Sequence, residues 1–386
     1  SVAILISEGT RNDDNAFDRK LMPLTKNLLF KLIPLLEPAD DFESTNMDYP
    51  TYSANSTAGK VLMALINYSL RNARLINYKN KDCKWSKEVK GKFEQTLKKG
   101  IIDGYVLQGM YFRNFLYLDK TWLLNQVYEI PTTNSDCRKA FFGGYLFSNP
   151  PYDKNIFKTL TPLYEMSIDE NESSEMIARN LATYLFWGFD KPTNKNSLIR
   201  RVVQNENKDQ IEQLIHFIWV QRGYVLTIPT ARERKNFTAR LLAVWRLIYY
   251  KFNDQQDEKS HKLISSLSRL SVHFQKLNSQ LYELLLPSMK VIHKGHNHYS
   301  MLEEFNRLLK SEKNHTVATF LGQLISEIPV KPFLSSLEEK ELLPLVKILY
   351  EFKHNEKIKE LADSICNNYA KDGYEFLKEL YYENNS

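Results

Sequence analysis

Apolar residues recur along this chain three and four positions apart, the spacing that lines one face of an α-helix. The clearest case covers residues 56–78, STAGKVLMALINYSLRNARLINY. Val61, Leu62, Leu65, Ile66 and Leu70 fall on one side of that helix. Arg71, Arg74 and Lys79 gather towards its end, where cations complement the helix dipole. Ser53, Asn55 and Ser56 stand before it as candidate N-caps. The same pattern predicts helices over residues 17–36, 85–99, 120–129, 156–168, 174–189, 208–222, 231–252, 258–270, 279–293, 299–310, 316–328, 337–352, 357–369 and 374–382. No run between them alternates as a half-buried strand would.

The pattern therefore predicts an all-α chain of about fifteen helices with short polar connections. A helix pair takes roughly 40 to 50 residues, the period of HEAT or armadillo-like α-solenoids. No strict repeat signature accompanies it, and an irregular helical bundle is the alternative. Breaks fall at Asn149-Pro150-Pro151 and at residues 190–196, DKPTNKN. Both read as loops, because neither is long or rich in glycine and serine. A division near Asp190 gives an N-terminal part, 1–190, and a C-terminal part, 191–386; one continuous array is the other arrangement.

Composition adds support and exclusions. Glycine (13) and proline (14) are scarce among 386 residues, which favours long helices over turn-rich sheets. Cys83, Cys137 and Cys366 lie far apart without CxxC spacing, an argument against a disulfide framework or a structural zinc site. They read as reduced, and the chain as soluble and cytoplasmic. No apolar run approaches the ~18 residues that span a bilayer, so no membrane role is expected. The start, Ser1 to Ile6, is apolar but lacks a basic leader and a cleavage site. It also lacks an initiator Met, which points to a chain cut from a longer protein, with a processed start as the alternative. The net charge of +6 is modest for this length and disfavours a dedicated nucleic-acid binder, while tolerating an acidic partner. The many aromatics, such as Tyr111 and Phe115 with Leu118, sit at helical spacing and are expected in the core.

Candidate chemistry is thin. Gly59-Lys60 in NSTAGKV lacks the first glycine and the Ser or Thr of a phosphate loop, with Ala54 and Val61 in those places. Gly59 is better read as allowing close packing. His293, His296 and His298 lie together in VIHKGHNHYS, but no cysteine or carboxylate pair completes a metal site, and solvated loop histidines are expected. Residues 231–252, ARERKNFTARLLAVWRLIYYKF, would turn Phe237, Leu241, Val244, Trp245 and Ile248 inward. Arg232, Arg234, Lys235, Arg240 and Arg246 then form a candidate partner-binding basic face against one acid, Glu233; a solvated charged face is the plainer reading. Acidic pairs such as Asp40-Asp41 and Glu338-Glu339 sit in ordinary helix-start or surface contexts. No GxSxG elbow, HExxH or GxGxxG loop is present, so neither catalysis nor a cofactor is expected.

Two regions carry a likeness. YPTYSANSTAGKVLMALINYSLR (49–71) is followed by a tryptophan-led helix at Trp85, then by GMYFRNFLYLDKTWLLNQV (109–127) and AFFGGYLFS (140–148). Near the end stand HTVATFLGQLISE (315–327) and KIKELADSICNNYAKDGYEFLKELYYE (357–383). Together they resemble the C-terminal helical region of large bacterial anti-phage defence proteins. In those, a sirtuin-like NAD-consuming domain or a STAND-type NTPase precedes a helical repeat array. The resemblance implies a non-catalytic sensor that binds a phage-derived protein and controls the N-terminal effector of its parent chain. It transfers no functional residue, because the shared motifs are packing motifs. This chain carries neither the sirtuin-like GAG loop nor an NTPase phosphate loop. An oligomerisation scaffold for a homo-oligomeric parent and a nucleic-acid-binding array remain the other two roles.

Overall fold

The computed structural model describes residues 1–38, 48–76, 82–148, 153–170, 175–295 and 297–385. Among them the fold is all-α: the helices run from α1 to α21, with short 3-10 turns and a single isolated bridge, Cys83 to Asp119. No helix among the described residues is long and apolar enough to cross a membrane. The chain forms two compact units, Ser1–Ser167 and Ile168–Ser386. Residues 190–196 lie inside the second unit; residues 149–151 and Asp40-Asp41 lie outside the described residues.

In the first unit the strongly periodic helix is α4 (Thr57–Leu75), and Val61, Leu62, Leu65, Ile66 and Leu70 are all buried. Ser56 is its N-cap, accepting the Gly59 N–H at 2.8 Å, while Ser53 and Asn55 belong to α3 (Tyr49–Asn55). At the other end Arg71 and Arg74 both pair with Asp13, which follows α1 (Val2–Arg11). The helix expected from residue 120 begins there for a definite reason. Within α7 (Phe112–Glu129) Asp119 leaves the helical conformation, and its carboxylate accepts the Trp122 N–H at 3.0 Å. Asp119 thus starts the second half of α7 as an N-cap does. Lys90 of α5 (Lys87–Lys98) holds the same carboxylate at 2.8 Å. Around them Trp85, Phe93, Phe115 and Trp122 pack with ring centroids 5.0 to 6.3 Å apart.

The helices exceed the expected fifteen because several carry no amphipathic stripe. α6 (Ile102–Met110) and α8 (Ser135–Phe147) pack so closely that their backbones meet. A Cβ on Gly109 would lie 2.2 Å from the Phe141 carbonyl oxygen, and one on Gly144 only 2.1 Å from that of Val106. Helices this enclosed are apolar on most sides, so periodicity does not reveal them. α3 and α11 (Leu198–Gln204) escaped notice for a different reason: at seven residues each they are too short to show a period.

The second unit repeats one arrangement. α16 (Ser279–Lys290) packs on α18 (His315–Ser326), and α18 on α20 (Glu356–Lys371). α17 (His298–Ser311) packs in the same way on α19 (Ser336–Glu351). Residues 190–196 are tightly held. The buried Asp190 accepts from the Ser197 hydroxyl and the Ile199 N–H, both at 2.9 Å, at the start of α11.

The glycines give a paired test. Gly144→Ala forces two backbones apart and should lower unfolding free energy by about 1–3 kcal/mol. Gly91→Ala, in open space within α5, should raise it by roughly 1 kcal/mol through helix propensity alone. Urea titrations of the two variants check both signs.

Candidate functional site

The sequence-predicted basic face is divided by the fold. It lies on α14 (Ala231–Phe252), whose Phe237, Leu241, Val244, Trp245 and Ile248 are buried as expected. Arg240 turns back onto the end of α10 (Glu175–Trp187). Its Nε donates to the Leu185 carbonyl and its Nη2 to that of Phe186, both at 2.9 Å. Burial lowers the pKa of this guanidinium. Arg234 donates to the Ile228 carbonyl at 2.7 Å. Arg232 and Lys235 are exposed, and Arg246 is half-buried. Two of the five cations are thus bound to backbone, and the shared face reduces to Arg232, Lys235 and Arg246.

The phosphate-loop resemblance at Gly59 is closed off by geometry. A Cβ there would sit 1.8 Å from the Ser53 carbonyl oxygen, so α3 lies directly against the glycine. That is the close packing expected of it. The Gly59 N–H is taken by Ser56, whose hydroxyl also donates to the buried Asp103 at 2.5 Å.

His293 and His298 are not solvated loop residues; His296 lies outside the described residues. His298 is buried at the first position of α17, and its Nδ1–H donates to Glu338 at 2.6 Å. Glu338 also closes the capping box of α19 with Ser335 and accepts from Lys331 at 2.6 Å. Burial opposes its ionisation, but Lys331, Ser335 and His298 overcome that and hold the carboxyl at about 2. Among the described residues no three His, Cys, Asp or Glu side chains are grouped to hold a metal.

Polar groups converge elsewhere, in a groove of the second unit that the sequence did not announce. One wall is α12 (Lys208–Val220) with His216 and Trp219. The 3-10 turn Ser268–His273 supplies Arg269, and α17 supplies Asn297, Ser300 and Glu304 with its N-cap and first turns. The groove holds about 240 Å³, and a depression of about 390 Å³ shares His216 and Arg269 with it and adds Glu175, Asp209 and Glu212. The smaller volume falls below the roughly 300–1,000 Å³ usual for a small-molecule pocket. The adjoining depression falls inside that range.

Arg269 is the central group. Its Nε donates to the Asn297 Oδ1 at 2.6 Å, and its guanidinium lies 5.7 Å from the Trp219 ring centre. The buried Asn297 is fixed in turn by Ser265, whose carbonyl accepts its amide at 3.2 Å. Burial lowers the Arg269 pKa and Glu212 pulls it up; an arginine so placed keeps its charge. Arg222 lies 4.5 Å over the same indole. Three of the acids nearby are already matched. Glu304 takes both Nε and Nη2 of Arg307, at 2.8 and 2.5 Å, and Asp209 and Glu212 pair with Lys259 and Lys262 at 3.0 and 2.9 Å. These three carboxylates thus have cations of their own, and the guanidinium of Arg269 is oriented by a neutral amide.

No protein-family model, curated protein or solved structure matches the chain. The groove therefore has to be read on its own chemistry. It brings together one oriented guanidinium, one indole and an exposed imidazole. Its serines Ser268 and Ser271 donate to backbone carbonyls at 2.7 Å, so neither is placed beside a base as a nucleophile would be.

Two predictions follow from these side chains. Arg240→Ala removes two hydrogen bonds at the end of α10, where the Leu185 carbonyl keeps the Gly188 N–H and that of Phe186 loses its arginine, and should cost about 1–3 kcal/mol. Arg232→Ala should stay within roughly 0.5 kcal/mol of the parent, as surface changes do. Thermal denaturation of each separates the structural arginine from the solvated one. The second concerns pH. Buried His273 donates from Nε2 to the Ile218 carbonyl at 2.9 Å, and burial lowers its pKa from 6.5 to about 4. Burial likewise lowers that of His298. Both are neutral when folded and bind protons more readily when unfolded. Stability should be full above pH 6.5 and fall as the pH drops towards 4, by about 3 kcal/mol for His273 alone. Urea midpoints at pH 7.5, 5.5 and 4 measure the loss, and His273→Gln should flatten the curve.

Proposed function

We propose that this chain is a non-catalytic recognition module that binds a protein partner through the groove around Arg269 and Trp219. The observation that carries the reading is the oriented guanidinium. A buried amide aims it, an indole flanks it, and three nearby carboxylates, Glu304, Asp209 and Glu212, pair with cations of their own. Such a group favours a carboxylate or other anionic side chain of a partner, and tryptophan and arginine are the residue types that anchor interfaces.

The broader role is that of the resemblance: a cytoplasmic sensor region in a bacterial antiviral defence protein, engaging a phage-derived protein and relaying this to an N-terminal effector. Stacking of α16, α18 and α20, with α17 on α19, supports an α-solenoid reading, whose surface suits a large partner. Relay would require the partner to bind one conformation more tightly than another. Nucleic acid is disfavoured, because Arg234 and Arg240 are bound to backbone carbonyls.

Direct binding is the test. The purified chain is titrated calorimetrically with candidate phage proteins, and one should bind in the micromolar range or tighter. Arg269→Ala and the exposed Arg222→Ala should each weaken that affinity, the former about tenfold or more, as for an anchor residue. Full affinity in both variants would remove the groove from the account, and failure of every phage protein to bind would end the sensor reading. Sedimentation of the chain alone should give a monomer; a stable oligomer would favour a scaffold.

A further inference from the structure

The first unit carries a leucine seam that the groove does not use. α2 (Met22–Leu32) continues a 3-10 turn, Arg19–Leu21, and runs into another, Ile33–Leu35. Met22, Thr25, Leu29, Ile33 and Leu36 are buried. On the opposite side Leu21, Leu24, Leu28 and Leu35 are 44, 56, 37 and 73% exposed. Their spacing is three, four and seven residues, with the exposed Lys31 at the place between Leu28 and Leu35 where the next apolar residue would stand. In sequence this is heptad spacing, with Leu24 and Leu28 on α2 itself and Leu21 and Leu35 in the 3-10 turns at its two ends.

Charge selects what covers it. Between residues 19 and 36 the charged side chains are Arg19, Lys20, Lys26 and Lys31, and none is acidic. Lys26 already pairs with Glu88. Lys20 and Lys31 are exposed, Lys31 within the seam register and Lys20 beside it. A second copy of the seam would bring like charges together, which destabilises a pairing. A helix with leucines at the seam and glutamates beside them meets both features. The narrow stripe also fits a helix better than a bilayer, because membrane-surface helices bury a broad apolar face.

We propose that the outer face of α2 docks an amphipathic helix of a partner, with apolar residues at heptad spacing and acidic flanks. The seam is a second contact surface, and it does not rest on the groove.

The probe is a synthetic four-heptad peptide with leucine at the seam and glutamate on both flanks, whose own charge keeps it from pairing with itself. It is labelled and titrated with the full chain by fluorescence anisotropy. Saturable binding is expected. The double variant Leu24→Glu with Leu28→Glu should weaken it about tenfold or more, as loss of central anchors does. Lys31→Glu and added salt should also weaken it. Arg269→Ala should leave it unchanged, which keeps this result separate from the groove's. The leucines are exposed, so the melting temperature of the double variant should match that of the parent. Absence of peptide binding, or full binding by the double variant, overturns the proposal. So does self-association of the chain, or capture by phosphatidylserine vesicles, that is abolished by the same two substitutions.

Discussion

Every helix leaves backbone N–H groups bare at one end and carbonyls at the other, and burying them without partners is costly. A fold made of many helices multiplies that demand, and much of this chain's polar chemistry goes to meeting it. Arg240 takes the last carbonyls of α10, and Asp190 takes an N–H at the start of α11. Asp119 starts the second half of α7, and Glu338 closes the box at α19. Lys99 reaches the carbonyls of Pro34 and Leu36, and Arg307 that of Phe274. Several charged side chains that might suggest chemistry are holding the ends of helices.

That constraint gives the groove its distinction. Ser265 donates to the Ile292 carbonyl at 2.8 Å and accepts the Gly295 N–H at 3.1 Å, fixing the bend that leads into α17. The same serine's carbonyl holds Asn297, and Asn297 holds Arg269. Arg269 also approaches the Gly295 carbonyl, at 3.5 Å, a long contact beside the 2.6 Å bond to the amide. The guanidinium is therefore oriented mainly by a side chain, with donors left for a visitor.

Much of the fold was legible because amphipathic helices declare themselves. Residues 231–252 form one helix with the bounds read from sequence, and the apolar stripe of α4 is buried as its period required. α6 and α8 were illegible because enclosed helices have no polar side to set a rhythm. The candidate site was harder. Trp219 and Arg222 are one helical turn apart and could have been noticed together. Arg269 and Asn297 are brought together by the packing of α15 (Glu258–Leu267) against the turn at Ile292–Gly295, and no local spacing encodes that. Arg234 and Arg240 misled for the converse reason: a cation on a helix looks the same in sequence whether it faces water or a carbonyl.

The indole at position 219 gives the groove a built-in optical label. Tryptophan emission responds to charge and water at the ring, and here two guanidinium groups lie within 5.7 Å of it. Trp85 and Trp245, by contrast, are buried in the core, where an arriving molecule would leave their light unchanged. Trp187 is exposed as well, so replacing it with phenylalanine leaves Trp219 as the ring whose colour reports occupancy of the groove.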